Sequence, residues 1–303
     1  MAHPLPVGGF PVPPPLPSRR RGQLAEIARR YRRNKLAMVG LGVVALLVFL
    51  AVLEPLITPY DPFEQNLRNT MAPPSPAHWF GTDVLGRDLL SAIIYGARLA
   101  VLVGLGAVTM ALLVGVALGA LAGFRGGVTD GIIARVTDVF LAFPALVGAI
   151  LIVRAFGAGV LPVIVALALV GWPTTARLAR GQVLALREAE YVEAARAIGA
   201  SDPRIVLRHI LPNAIAPVLV YAFTSTGGYV VAMASLSYLG VGVPPDVPEW
   251  GRLIEQASDF LRVPGKAHLW IFPSLAICLT TLGFAFVADG LRDALDPRLW
   301  DRS

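Results

Sequence analysis

Apolar positions in this chain fall in blocks, and polar segments of varied length separate them. The blocks lie at about 37–57, 99–124, 133–153, 159–175, 214–237 and 269–290. A helix rises about 1.5 Å per residue, so about 20 residues cross the roughly 30 Å hydrocarbon core of a bilayer. The pattern therefore predicts an all-α, polytopic membrane protein with six transmembrane helices. The third and fourth blocks are the least clearly divided, with only Arg154 and the glycines at 157 and 159 between them. The first block ends EPLITPY, without a small-residue cleavage site, and reads as a retained anchor rather than a signal peptide.

Composition agrees. Of 303 residues, 55% are hydrophobic and 15% charged, with mean hydropathy +0.66. A soluble domain carries about 25% charge. The single cysteine, Cys278, lies in an apolar block and allows neither an intrachain disulfide nor a thiol-based metal cluster. No metal site is expected. The net charge of +6 raises the question of nucleic acid. In a membrane chain, however, basic residues report orientation, and no nucleic-acid partner is expected.

Arg19, Arg20, Arg21, Arg29, Arg30, Arg32, Arg33 and Lys35 precede the first block. With the N-terminus in the cytoplasm, the cytoplasmic segments hold 19 of the 26 Lys+Arg, as the positive-inside rule requires. Both termini and the segment 187–213 then face the cytoplasm, and 58–98 and 238–268 face outward. The organisation follows. Residues 1–18 form a tail with seven prolines and too little apolar mass to fold. Residues 19–36 form a basic helix whose Leu24, Ile27, Ala28 and Tyr31 share one face, suited to lying on membrane lipid. Residues 37–98 hold the first span and an external loop. A core of five helices occupies 99–290, and 291–303 is a cytoplasmic tail.

Inside the membrane, Gly115, Gly119 and Gly123 form overlapping GxxxG steps, a face for close helix packing within the chain or against a partner. Pro144, Pro162, Pro173, Pro217 and Pro273 interrupt spans and can either line a pathway or pack. Glu54, Asp138, Arg154 and Asp289 lie near block ends and read as snorkelling to the interface. No relay of acidic residues crosses the membrane.

The segment 187–213, REAEYVEAARAIGASDPRIVLRHILPN, is polar and helix-forming. One helix is predicted from about Leu184 to Ile198, with Glu193 and Arg196 paired at i,i+3. Gly199 is placed to end it in the left-handed conformation. Asp202 is placed as the N-cap of a second helix, with Pro203 at its first position. Leu211 and Pro212 then precede the fifth span. The result is a helix–corner–helix elbow tied to two spans, able to pass on a force. In the external segments, Asp83, Arg87 and Asp88 predict a local ion-pair corner. Residues 244–250 predict a stiff, partly acidic surface with an exposed Trp250, either a contact anchor or, as preferred, an interfacial tryptophan.

At this point the residues resemble a known family. Glu193-Ala194-Ala195, Gly199 and Leu211-Pro212 resemble the EAA loop of ABC-importer permeases, with His209 in place of the usual isoleucine and Ile210 beside it. The segment 78–104 resembles dipeptide/oligopeptide permeases of the OppC/DppC type. It includes Gly81, Thr82, Asp83, Gly86, Arg87 and Asp88. DVFLAFPAL (138–146), 237–254 and ADGLRDALDPR (288–298) resemble them too, and the likeness covers about 20–303. It implies the ABC type I importer permease fold in a bacterial cytoplasmic (inner) membrane. It also implies a second homologous permease subunit, two ATPase subunits or a fused ATPase, and an extracytoplasmic substrate-binding protein. The chain has no GxxxxGK[ST] phosphate loop, so ATP and Mg would be bound by the partner ATPases. The elbow residues Glu193, Ala194, Ala195, Gly199, Asp202, Leu211 and Pro212 would couple to an ATPase. Di- or oligopeptides are the expected cargo. A nickel or opine permease shares these motifs. A standalone channel or secondary transporter would leave the elbow unexplained, and no HExxH or GxSxG supports an enzyme.

Overall fold

The computed structural model describes residues 19–295. The proline-rich tail 1–18 and residues 296–303 lie outside the described residues. The chain is built from α1 (Arg19–Arg33), α2 (Lys35–Ile57), α3 (Leu89–Arg125), α4 (Gly127–Ala142), α5 (Ala145–Phe156) and α6 (Val160–Leu186). There follow α7 (Glu190–Ala197), α8 (Asp202–Ile205), a π turn (Val206–Ile210), α9 (Leu211–Tyr238), α10 (Trp250–Gln256) and α11 (His268–Leu295).

Five helices are long and apolar enough to cross a membrane, and α4 with α5, bent by 91° at their break, counts as a sixth when the pair is taken as one span. The third span expected at 133–153 is broken at Pro144, one of the prolines that interrupt spans in the sequence. Pro144 drives its predecessor out of the helical region, and Phe143 is extended at φ −91°, ψ 134°. At 12 residues, α5 is about 18 Å long, too short to cross alone. Helix α3 begins at Leu89, ten residues before the predicted span, because Asp88 caps it: Ser91 N donates to Asp88 Oδ2 at 2.8 Å.

The core is a parallel pair. Helices α3 and α6 run side by side, and the glycine face of α3 is spent within the chain. A Cβ on Gly115 would come 2.6 Å from Thr175 Cβ, and one on Gly119 would come 2.3 Å from the Ala176 carbonyl. One on Gly123 would come 2.9 Å from the Arg180 carbonyl. Only glycine lets the backbones approach this closely. Helices α2 and α11 pack antiparallel, with Gly40 against Phe286 and Gly290 against Ala37. Asn34, which caps α2, donates to Asp293 Oδ2 at 3.1 Å.

Two ends follow from these directions. One carries α1, the elbow and the C-terminal end of α11. The other carries segments 58–88 and 239–267. Of the residues expected to snorkel, Glu54 does not: it is buried and accepts from Arg98 at 2.9 Å, whereas Arg154, Asp289 and Asp138 are exposed, Asp138 pairing with Arg177 at 2.7 Å.

Candidate functional site

The elbow is the polar segment that joins α6 to α9. Its first limb is shorter than predicted. Helix α6 ends at Leu186, and a turn at 187–189 precedes α7. The turn is held by Arg187, whose Nη1 donates to the Gly123 carbonyl at 3.1 Å. Helix α7 ends as the sequence predicts. Gly199 has φ +80°, its N–H bonds the Arg196 carbonyl at 2.9 Å, and Ala200 N bonds the Ala195 carbonyl at 3.0 Å. That bond pair is a Schellman cap, which satisfies two terminal carbonyls.

Two expectations are corrected here. Glu193 and Arg196 form no ion pair; Arg196 instead lies 5.8 Å over the Phe124 ring at the end of α3. A cation over an aromatic face gains from the ring quadrupole. Asp202 is not the N-cap of the second limb. Ser201 holds that position, extended at ψ 152°, and neither side chain makes a capping bond.

The second limb has no break before the fifth span. Residues 202–238 run as one helix through the π turn, where Leu211 N bonds the Val206 carbonyl. Leu211 and Pro212 therefore lie inside the helix. The wide turn falls just before Pro212, which has no N–H and whose ring crowds the carbonyl four residues back. Asn213 Nδ2 donates to the His209 carbonyl at 2.7 Å.

The elbow has two faces. Val192, Ala195, Ile205 and Ile210 are buried with Ala120 and Val183, clamping both limbs to α3 and α6. Glu193, Ala194 and Gly199 face outward with Ile198, which is 86% exposed. Ile198 was not singled out by sequence reasoning. Its signal was an isoleucine directly before a corner glycine, outside the apolar spacing of the helix. Between α3 and the second limb lies a cavity of about 790 Å³, lined by residues that include Leu113, Leu121, Arg125, Asp202, Leu207 and Ile215.

The opposite end is organised by Arg87, which is fully buried. Its Nε donates to Asp83 Oδ2 at 2.6 Å, Nη1 to the Asp246 carbonyl at 3.0 Å and Nη2 to Gln256 Oε1 at 3.3 Å. Asp83 Oδ1 also accepts from Leu85 N and Arg87 N, each at 2.9 Å. Asp88 accepts from Ser91 and meets His78 Nδ1 at 2.9 Å. Gly81 and Gly86 have φ +79° and +75°, and a Cβ on Gly86 would come 1.9 Å from the Asn66 carbonyl. Thr82 Oγ1 donates to the Asn69 carbonyl at 2.5 Å. The motif Gly81–Asp88 is thus brought together as one knot joining both polar segments of this end.

Of the expected surface Pro245 and Asp246 are exposed, but Glu249 and Trp250 are not part of it. Trp250 is 1% exposed, and its Nε1 donates to the Ile93 carbonyl at 3.0 Å. Glu249 is fully buried and caps α10 by accepting from Arg252 N at 3.1 Å. Burial pushes the Glu249 carboxyl above the usual carboxylate range, opposed in part by the Gly251 and Arg252 N–H groups. The segment 239–267 has turned Trp250 inward against Ile93 and Gly96 of α3.

Residues 115–301 match the model of the family described as "binding-protein-dependent transport system inner membrane component". Residues 22–74 match the "N-terminal TM domain of oligopeptide transport permease C". The dipeptide transport system permease protein DppC of Alkalihalophilus pseudofirmus is 41% identical over 274 residues, 90% of each chain. The glutathione transport system permease protein GsiD of Pectobacterium atrosepticum is 42% identical, over 90% of this chain and 91% of its own. A solved structure of the MetNI methionine ABC transporter, in inward-facing conformations, superposes with TM-score 0.51 at 20% identity. It covers 68% of this chain and 97% of that one. This last likeness speaks to the fold alone.

Proposed function

Because the chain belongs to the family of binding-protein-dependent transport system inner membrane components, the permeases of ABC importers, we propose that its elbow is the contact through which ATPases drive uptake of di- or oligopeptides. The cargo reading rests on relatives named for dipeptide and glutathione transport. The driving reading rests on one observation: a Schellman-capped corner whose inner face is clamped to two spans and whose outer face is bare.

Physically the elbow is a lever. Its first limb joins α6 through a three-residue turn, and its second limb is continuous with α9. A partner gripping Glu193, Ala194, Ile198 and Gly199 cannot shift the corner without shifting both spans. Closure of an ATPase pair would then bias the spans between two arrangements, a coupling between separate sites. ATP and Mg would sit on the ATPases, and this chain would act as a transport subunit without its own ATP site. With the elbow in the cytoplasm, both termini lie there too. The knot around Arg87 faces outward, where a substrate-binding protein would dock. A second, homologous permease would complete the pathway.

The test is Gly199→Val in the assembled importer. A β-branched residue at φ +80° is strained and thickens the contact. Assembly with the ATPases, or ATPase stimulation by loaded binding protein, is expected to fall at least tenfold. Normal assembly and stimulation would sink the reading.

A further inference from the structure

A second cavity, about 480 Å³, lies beneath α1 and away from the elbow. Ile27, Ala28 and Tyr31 of α1 face Met38 of α2, Phe223 of α9 and Leu291 of α11 across it. These are the α1 residues whose spacing predicted a lipid-facing stripe. The crevice is a built feature. Asn34 Oδ1 accepts from Ala37 N and Asn34 Nδ2 donates to Asp293, each at 3.1 Å, and Tyr31 OH donates to the Ala37 carbonyl at 3.2 Å. Gly290 admits the corner, for a Cβ there would come 2.2 Å from Ala37 Cβ. Helix α1 is thus held over the crevice at a set distance.

Charge decides what fills it. Glu26 takes Arg29 and Arg30 as ion pairs. Arg32, the charged residue of the lining, is exposed, as are Arg33 and Lys35. Among the described residues no carboxylate pairs with these three. An apolar slot at the membrane surface is filled by an acyl chain. Any phospholipid supplies the chain, but only an anionic headgroup answers three cations that no described carboxylate pairs.

We propose that the crevice is a binding site for an anionic phospholipid, one acyl chain under α1 and the phosphate on Arg32, with Arg33 and Lys35 around it. The lipid would wedge α1 against α9 and α11, and so steady the spans that the elbow moves. The proposal rests on the reading that α1 lies at the cytoplasmic leaflet.

The purified importer is equilibrated with equal amounts of phosphatidylglycerol and phosphatidylcholine, and retained lipid is counted by native mass spectrometry. One tightly retained phosphatidylglycerol is expected, preferred at least tenfold over phosphatidylcholine. The triple variant Arg32→Gln, Arg33→Gln, Lys35→Gln should lose at least fivefold of that preference. Ala28→Trp, which fills the slot and keeps the charges, should expel that lipid. Equal retention of the two lipids by the native protein overturns the proposal. So does full preference in the triple variant, or unchanged retention in Ala28→Trp. Sidedness is checked separately, with Gln23→Cys in a Cys278→Ser background and an impermeant maleimide. Labelling of intact cells would overturn the topology reading, whereas lipid retention reports on the site itself.

Discussion

Gly199 and Glu249 sit at opposite ends of the molecule, and in each case one physical term governs the residue. At Gly199 the term is backbone conformation: φ is +80° and no atom beyond its chain neighbours lies within 4 Å of where a Cβ would stand. A left-handed β-carbon costs about 1–2 kcal/mol, and asparagine is the side chain that best tolerates it. Gly199→Asn should therefore keep thermal stability within about 0.5 kcal/mol of native. A loss of ATPase binding in that stable variant would mark the corner as a close-fitting contact; unchanged binding would confine its role to shaping the turn. At Glu249 the term is desolvation. Its carboxyl is fully buried beside the Ser237 hydroxyl, and Arg252 is the charged group whose field reaches it. A carboxyl with a raised folded pKa keeps its proton where the unfolded chain has lost it. Stability then declines as pH rises above the ordinary carboxylate value of 4.5, and levels off once the folded value is passed. Glu249→Gln needs no proton. Its melting temperature should lack that decline and exceed the native value at pH 8, which thermal unfolding across pH would measure. Parallel pH profiles would show that the residue is not buried as an acid.

At the scale of elements, α4 and α6 are stapled by charge. Arg180 Nε and Nη2 meet the two Asp130 oxygens at 2.5 and 2.7 Å, and Arg177 meets Asp138. The first pair is two-pronged but partly exposed, with side chains 36% and 20% accessible, so a coupling of about 1 kcal/mol is expected. A cycle of Asp130→Asn and Arg180→Gln, read by chemical unfolding, measures it; a coupling near zero would mean α4 rides free of the helix that bears the elbow. No sequence rule could have paired residues 50 apart on two helices. The cap chemistry of Gly199 and the spacing of Gly115, Gly119 and Gly123 were readable because they are local. Pro144 is local too, and it announces where a helix stops. It does not announce the 91° turn that follows, because that direction is set by packing on α6. The burial of Trp250 and Glu249 escaped for a related reason: a polar loop composition describes what surrounds the chain only when nothing folds onto it.

Across the whole molecule, the helix 202–238 links the elbow to the far end. Its 37 residues span about 55 Å. There Gly251 of α10 presses so closely on α9 that a Cβ would stand 2.0 Å from the Ala234 carbonyl. Arg87 continues the contact, since it bonds both Asp246 and Gln256. A displacement at the corner should therefore reach both polar segments of that end through one helix and one glycine contact. Gly251→Ala must part α10 from α9 by more than an ångström to relieve that overlap, while leaving the elbow, about 50 Å along the helix, untouched. The expected outcome is a split. Assembly with the ATPases and their basal turnover persist, and stimulation by the substrate-loaded binding protein falls at least tenfold. If basal turnover and assembly were lost together with stimulation, the two ends would not be separable stations on one lever. If stimulation survived intact, the signal would have to cross by another route, and the α3–α6 pair, which also runs from the Arg87 knot to the elbow, would be the element to break next.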